Sequence, residues 1–591
     1  MKKIIQNLNF FVNDISKIII DSERIKNFSQ FNKRQIFAHF LKSQQLIKIF
    51  FIVHLFLLNT LSFLISFKSL KNLSFSKREK LYKLFEKYNF IKFKKITELI
   101  TALVFLIKYN NEKLTNERKS STFQNKKHYD NIVIGSGPGG AVTVNNLLKN
   151  KFQTLLIEQG YKTSIPKTKH PATEFYHKWK YSGLSGAVGK YDLQFASAEC
   201  YGGGSEINSG LYHEIDNLFI KKLIDKNGVK NLIKYNDEWK SISSSDNFEE
   251  LNQRDKNLTN YFKDGSKTLG WKYENIKKFF KKNGSAVKQS MTSTLLSEAE
   301  NSGLELLLGH KVKKIFKSKD KWILTFFKSS KEISCKNLFL CCGTPYTLNL
   351  LKNSGILPWT YNDNFHFHPM IKIVAKFPLK VNHKINENVI SSQITEFYPN
   401  YLFGNAASDI QFLKISAIGN KIFSSDVDKN SEHMAILHST FTNGKCDFIK
   451  IPFLEEPIIV FKINRDEVLT VKEGLFNLIK FAFKSGADYV YILDESKTKL
   501  ENFDEKDIKN ILEKIKLSFS AVHLLGGINF GEKKENFFNS YGECKIAKYK
   551  NLFINDSSLI SENLLKNPQG AIMSIAKRNI DHFIKEQKNV Q

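Results

Sequence analysis

Cysteine is scarce in this sequence. Cys200, Cys335, Cys341, Cys342, Cys446 and Cys544 are the whole set, and no two of them form a C-x-x-C pair. That gives no sign of a zinc knuckle or a redox dithiol. It implies free thiols in a reducing compartment, hence a cytoplasmic protein. Arginine is scarce relative to charge, at only seven of the 89 basic residues. Lys, Asn, Ile and Phe are all abundant, the pattern of AT-rich coding, so the net charge of +31 reads mostly as solvated Lys faces such as 277–282. No stretch interleaves aromatic and basic residues as nucleic-acid modules do, and no nucleic-acid partner is expected. There is no internal repeat. No cleavable leader is expected, because Asn7, Asn9, Asn13 and Asp14 break the first apolar stretch. His366 and His368, in Phe365-His-Phe-His-Pro369, alternate onto one strand face without a third ligand. They read as ordinary packing, and no metal site is expected.

At 591 residues and 42% hydrophobic content, the chain can bury a large core in more than one domain. It is organised around the stretch 130–160. The apolar run 132–134 has strand length. Gly135, Gly137 and Gly140 follow in the order G-x-G-x-x-G, then a helix-compatible segment to about Asn150, a second apolar strand at 155–157, and Glu158. Strand, glycine turn, helix, strand and acid together form a dinucleotide-binding fingerprint. Gly135 permits the tight turn, Gly137 leaves room for a pyrophosphate, and Gly140 lets the helix lie close on the sheet. Free N–H groups at the helix N-terminus face the phosphates, and Glu158 is placed to accept from ribose hydroxyls. The fingerprint alone does not choose between NAD and FAD.

The fold class is α/β (α+β). Residues 1–125 read as a helical extension. Within it, 49–67 is free of formal charge and flanked by Lys42, Lys48, Lys68 and Lys71. Its length just meets a membrane span, but His54, Asn59, Thr60, Ser62 and Ser66 make it a poor one. With 96–107 it suits a Lys-fringed domain lying on a membrane surface, which would place the protein on the inner face of the cell membrane. A helical domain packing these faces on itself is the equal alternative, and a true span the third. Residues 116–127 read as a linker. The expected order is then a nucleotide-binding part at 126–215, a helical connecting segment at 216–290, a second nucleotide part at 291–360, an antiparallel-sheet substrate domain at 361–510, and a third nucleotide part at 511–591. Asn567-Pro568-Gln569 reads as the N-cap and first turn of a helix running to about Phe583.

These motifs, in this order, resemble the glucose–methanol–choline (GMC) family of FAD-dependent oxidoreductases over roughly 129–585. Besides the fingerprint, Gly202-Gly-Gly-Ser-Glu-Ile-Asn208 resembles the family's second glycine motif, and Gly309-His-Lys-Val312 its adenine segment. Cys342-Gly343-Thr-Pro with Leu350-Leu-Lys-Asn-Ser-Gly-Ile356 resembles a third stretch, and the strand ending at Asp556 with Asn567-Pro-Gln569 resembles the closing signature. The resemblance implies a discontinuous, Rossmann-like FAD domain. It implies that Gly135, Gly137, Gly140, Glu158, Gly203, Gly204, Asn208, Val312, Asp556 and Pro568 hold FAD. It also implies that His523 and Asn567 are the active-site pair. Glu214 stands where many members have Arg and is left out of the site. The Gly202 loop holds no histidine for a covalent link, so FAD is expected to be noncovalent, with His213 nearby keeping the point open. Near Phe75-Ser-Lys-Arg-Glu-Lys80 the extension resembles that of long-chain alcohol oxidases, a hint of lipid-like substrates or membrane electron acceptors.

The chemistry expected is oxidation of an alcohol. The flavin takes a hydride from carbon, and a neutral His523 imidazole accepts the hydroxyl proton, since its ordinary pKa is near 6.5. Asn567 fixes the same oxygen. A quinone or cytochrome is an expected acceptor, with oxygen open. Two other readings remain: a lyase with a structural flavin, and a non-catalytic flavin-binding membrane protein.

Overall fold

The computed structural model describes residues 2–590 apart from 24, 26–27, 110–126, 164–170, 244–252, 284, 362–363, 383–388, 443 and 562–563. The expected linker therefore lies almost wholly outside the described residues.

The fingerprint strand His128–Ile134 pairs in parallel with Thr154–Glu158 on one side and Ser329–Leu340 on the other. Glu305–Leu308 extends this sheet beyond Thr154–Glu158, and Leu552–Ile554 pairs with Leu338 to Leu340, so distant segments complete one sheet. Such strands are covered on both faces and read as continuous apolar runs. The helix Pro138–Lys149 and the C-terminal helix Gln569–Val590 cover one face.

The second sheet has twelve strands. Its centre is antiparallel, with Met370–Lys376, Met434–Phe441 and Tyr401–Ala406 side by side. It is wider than the sequence suggests. Gly186–Gly189, Asp192–Phe195 and Ser518–Ala521 all join it, although they lie in segments expected to serve the nucleotide domain. The segment 216–290 is helical only as far as Leu269, and Tyr273–Asn275 then forms the far edge strand. Lys278, expected on a solvated face, is buried in the short strand Lys277–Lys278. Alternation divides the sheet's two faces. Ile371, Ile373, Leu437, Phe403 and Phe441 pack with the helix Arg465–Lys484 through Val471, Leu475 and Phe481. The other face looks into a cavity.

The extension forms a bundle of five α-helices: α1 (Lys2–Ser22), α2 (Gln30–Lys42), α3 (Gln45–Ser66), α4 (Phe75–Lys87) and α5 (Lys94–Lys108). The 96–107 segment, read equally as part of a membrane surface or as a face packed within a helical domain, lies in the bundle's core. Ile96, Ile100, Val104 and Ile107 in α5 are fully buried. Asp14 of α1 accepts from Arg78 and Tyr82 of α4 and ties the two helices together. The bundle docks on the catalytic body through Lys95–Asp192 at 2.8 Å, His39 Nδ1 to Ser182 Oγ at 2.6 Å, and Glu455 N to Gln45 Oε1 at 3.0 Å. α3 buries Phe51, His54, Leu58 and Ser62, but leaves Phe56, Leu64 and Ile65 about two-thirds exposed, at 68%, 69% and 65%. Among the described helices it alone is long and apolar enough to cross a membrane by length and composition.

Candidate active site

The glycine turn shows why its residues are glycines. Gly135 has φ +101°, and a Cβ there would lie 2.2 Å from the Cys341 carbonyl oxygen. A Cβ on Gly140 would lie 1.9 Å from the Gly135 carbonyl oxygen, so this glycine sets the approach of helix to sheet. At Gly137 and Gly204 the reason differs. The nearest protein atom to a Gly137 Cβ is Gly203 Cα at 4.0 Å, and nothing lies within 4 Å of a Gly204 Cβ. Both face a cavity of about 1890 Å³. That exceeds the roughly 300–1,000 Å³ of an ordinary small-molecule pocket and leaves room for a dinucleotide beside a second ligand. A side chain at either glycine would intrude on that room, so the cradle fits FAD.

Of the expected site residues, all but Gly140 line this one cavity. Glu158 and Asp556 are buried, which pushes both carboxyl pKa values up. Hydrogen bonds work against that shift. Glu158 accepts from Ser136 N and Oγ at 3.1 and 2.7 Å and from Gly160 N at 2.8 Å. Asp556 accepts from Gly343 N at 2.8 Å, Thr347 Oγ1 at 2.5 Å and Ser558 N at 2.8 Å. Each acid thus also braces the turn around it. Asn208 donates to Gln569 Oε1 at 2.7 Å and so ties the second glycine motif to the start of the C-terminal helix.

That helix starts one residue later than the sequence suggests. Ile572 N donates to the Pro568 carbonyl, so Pro568 holds the cap position and Asn567 stands before it. Asn567 has a different engagement: its backbone N–H donates to His213 Nδ1 at 3.2 Å. The other His213 nitrogen, Nε2, therefore carries the proton and donates to Gln393 Oε1 at 3.0 Å. With both nitrogens engaged and the ring buried, His213 offers no atom for a covalent flavin link. The Asn567 side-chain amide has no partner among the described residues and lies at the cavity wall.

His523 follows the strand Ser518–Ala521 and also lines the cavity. Burial, then the neighbouring His213, pushes its imidazole pKa down to about 4. Its Nδ1 lies 3.1 Å from Nδ1 of His368, with the rings nearly perpendicular. This corrects the reading of His368 as ordinary packing. It holds one nitrogen of the candidate base and leaves His523 Nε2 for a ligand. Among the described residues its own Nε2 is buried without a partner, as is Nε2 of His366. No local signal could have shown the pairing, because 155 residues separate the two histidines. Among the described residues no three His, Cys, Asp or Glu side chains group as a metal site would need.

The cavity does not end at the catalytic body. Ile47, Phe50 and Val53 of α3 and Leu99, Leu103 and Leu106 of α5 also line it. The bundle is therefore a wall of the same space that the fingerprint opens.

No family model matches the chain. The GMC-type oxidoreductase y4nJ of Sinorhizobium fredii (strain NBRC 101917 / NGR234) is 25% identical over 493 residues, spanning 76% of this chain and 93% of that protein. Pyridoxine 4-oxidase from Mesorbium loti shares the fold with a TM-score of 0.60 at 13% identity, over 77% of this chain and 99% of its own. A formate oxidase does so with a TM-score of 0.61 at 12% identity, over 79% of this chain and all of its own.

Proposed function

We propose that this chain, a GMC-type FAD-dependent oxidoreductase, oxidises the CH–OH group of an alcohol to an aldehyde or ketone. Bound FAD supplies the acceptor for the hydride that leaves carbon. The protein's task is the proton and the orientation. The observation that carries the reading is His523, an imidazole kept neutral by burial, on the wall of the cavity that the fingerprint opens. For Nε2 to take the hydroxyl proton its lone pair must face the substrate. Nδ1–H is then donated to His368 Nδ1, the contact seen at 3.1 Å. The side-chain amide of Asn567 hydrogen-bonds the same oxygen, and this two-point hold orients the C–H bond. His213 keeps Asn567 in place through its backbone N–H.

The bundle rests on the inner face of the cell membrane, where a quinone or cytochrome takes the electrons. Support comes from the exposed apolar face of α3 and from charge. Residues 1–108 carry 20 Lys and Arg against six Asp and Glu. A basic surface with an exposed apolar helix suits an anionic leaflet. Anaerobic addition of a panel of alcohols, followed by artificial acceptors, quinone and oxygen, tests the reading. Bleaching of the flavin absorbance by one class of alcohol is expected. A yellow protein that no alcohol bleaches refutes it.

A further inference from the structure

The cavity face of the large sheet carries a charge that no acid among the described residues answers. Strand alternation places Met370 and Lys372 on that face, where both line the cavity, while Ile371 and Ile373 pack against the helix Arg465–Lys484. Lys372 sits opposite His438, which in turn sits opposite Gly404. Because Gly404 has no side chain, the His438 ring leans over it. A Cβ there would lie 3.0 Å from His438 Nε2. His438 Nδ1 is 2.9 Å from Thr440 Oγ1, so one ring nitrogen is already engaged. His438 lies close enough to feel both Lys372 and His523, which puts the three in one chamber.

Among the described residues the Lys372 ammonium has no hydrogen bond and no ion pair. Enclosure alone pushes its pKa down, to about 8, with no acid nearby to oppose the shift. It is thus still mostly charged at neutral pH. Two fully buried lysines are answered by acids: Lys180 pairs with Glu456 at 3.0 Å and Lys414 with Asp428 at 2.9 Å. Lys372 is half-buried on the cavity wall, so its ammonium is open to pair with an anion that enters the cavity.

We propose that Lys372 is the binding residue for an anionic oxygen group on the substrate, so that the enzyme acts on alcohols carrying a carboxylate or phosphate. This rests on the alcohol-oxidation reading for the role of the hydroxyl, but the binding test needs no turnover. FAD-loaded enzyme is titrated by calorimetry with hexanoate, hexanamide and hexyl phosphate, in the native protein and in Lys372→Met and Lys372→Arg. The native enzyme should bind hexanoate or hexyl phosphate at least about 10-fold more tightly than hexanamide, the scale of a charge-assisted hydrogen bond. The tighter of the two anions identifies the group. Lys372→Met should lose the preference and Lys372→Arg keep it.

Equal binding of anion and amide by the native enzyme overturns the proposal. So does a Lys372→Met protein that holds FAD and still prefers the anion. If Lys372 instead answers the cofactor's charge, Lys372→Met will weaken FAD retention and leave the anion preference intact, and that also overturns it. If the anion preference is present but no alcohol bleaches the flavin, the oxidation reading fails and the anion site stands.

Discussion

Acid should unfold this protein through its histidines. His39, His213, His366, His368, His438 and His523 are all held neutral. Burial lowers His213, His366 and His523 to about 4 and His39 and His438 to about 3, and it lowers His368 well below its ordinary value. In the unfolded chain each returns to the ordinary value near 6.5. At pH 5.5 an unfolded imidazole is about nine-tenths protonated while its native counterpart is essentially bare, so unfolding takes up about five to six protons. The unfolded state binds more protons, so stability rises with pH. It is fully present above about 6.5 and is lost as pH falls toward 4. Each proton is worth about 1.4 kcal/mol per pH unit, giving a slope of about 7–8 kcal/mol per unit near pH 5.5. Against a typical total of about 5–15 kcal/mol, the fold should give way within about two units below neutrality. Glu158 and Asp556, raised by burial, work in the opposite sense. The assay is direct. The FAD-loaded protein is unfolded with guanidinium in weakly buffered solution at pH 5.5, and the acid needed to hold the pH is counted. His366→Phe should lower the count by about one. Uptake of two protons or fewer would refute the reasoning, because the histidines would then have to be solvated or paired.

Three further outcomes are expected. His523→Ala should keep its FAD while flavin reduction by substrate in stopped flow slows by about 10²–10⁴-fold, the range for a positioned acid–base group, and unchanged kinetics would move that role elsewhere. Gly137→Val should yield colourless protein, since its side chain enters the space left open above Gly203, and a yellow variant would show that the pyrophosphate runs elsewhere. Full-length protein should sediment with anionic vesicles at low salt and release as salt screens the basic bundle, whereas Phe56→Asp with Leu64→Asp should weaken that binding while the flavin remains reducible. Indifference of the full-length protein to vesicles would make α3 an exposed face of a soluble enzyme.

The local features were legible in the sequence because each depends on neighbours in the chain. The G-x-G-x-x-G turn, its two strands and Glu158 lie within about thirty residues, and their spacing alone dictates strand, tight turn and helix. The ordered motifs down to Asn567-Pro568-Gln569 likewise pointed to one family and its cofactor. What only the tertiary structure decided were meetings across long separations. Periodicity reports which face of an element is apolar but not what covers it. The 96–107 segment of α5 therefore suited a membrane surface and a packed interior equally, until helices of the bundle and of the catalytic body buried it, while α3 kept an open face. His368 looked like packing because its partner His523 lies 155 residues on, brought beside it by the folded sheet. Lys372 looked like any lysine of a Lys-rich chain. Its isolation follows from pairing opposite His438 on a walled-in sheet face, and a sequence does not record which charges a fold leaves unanswered.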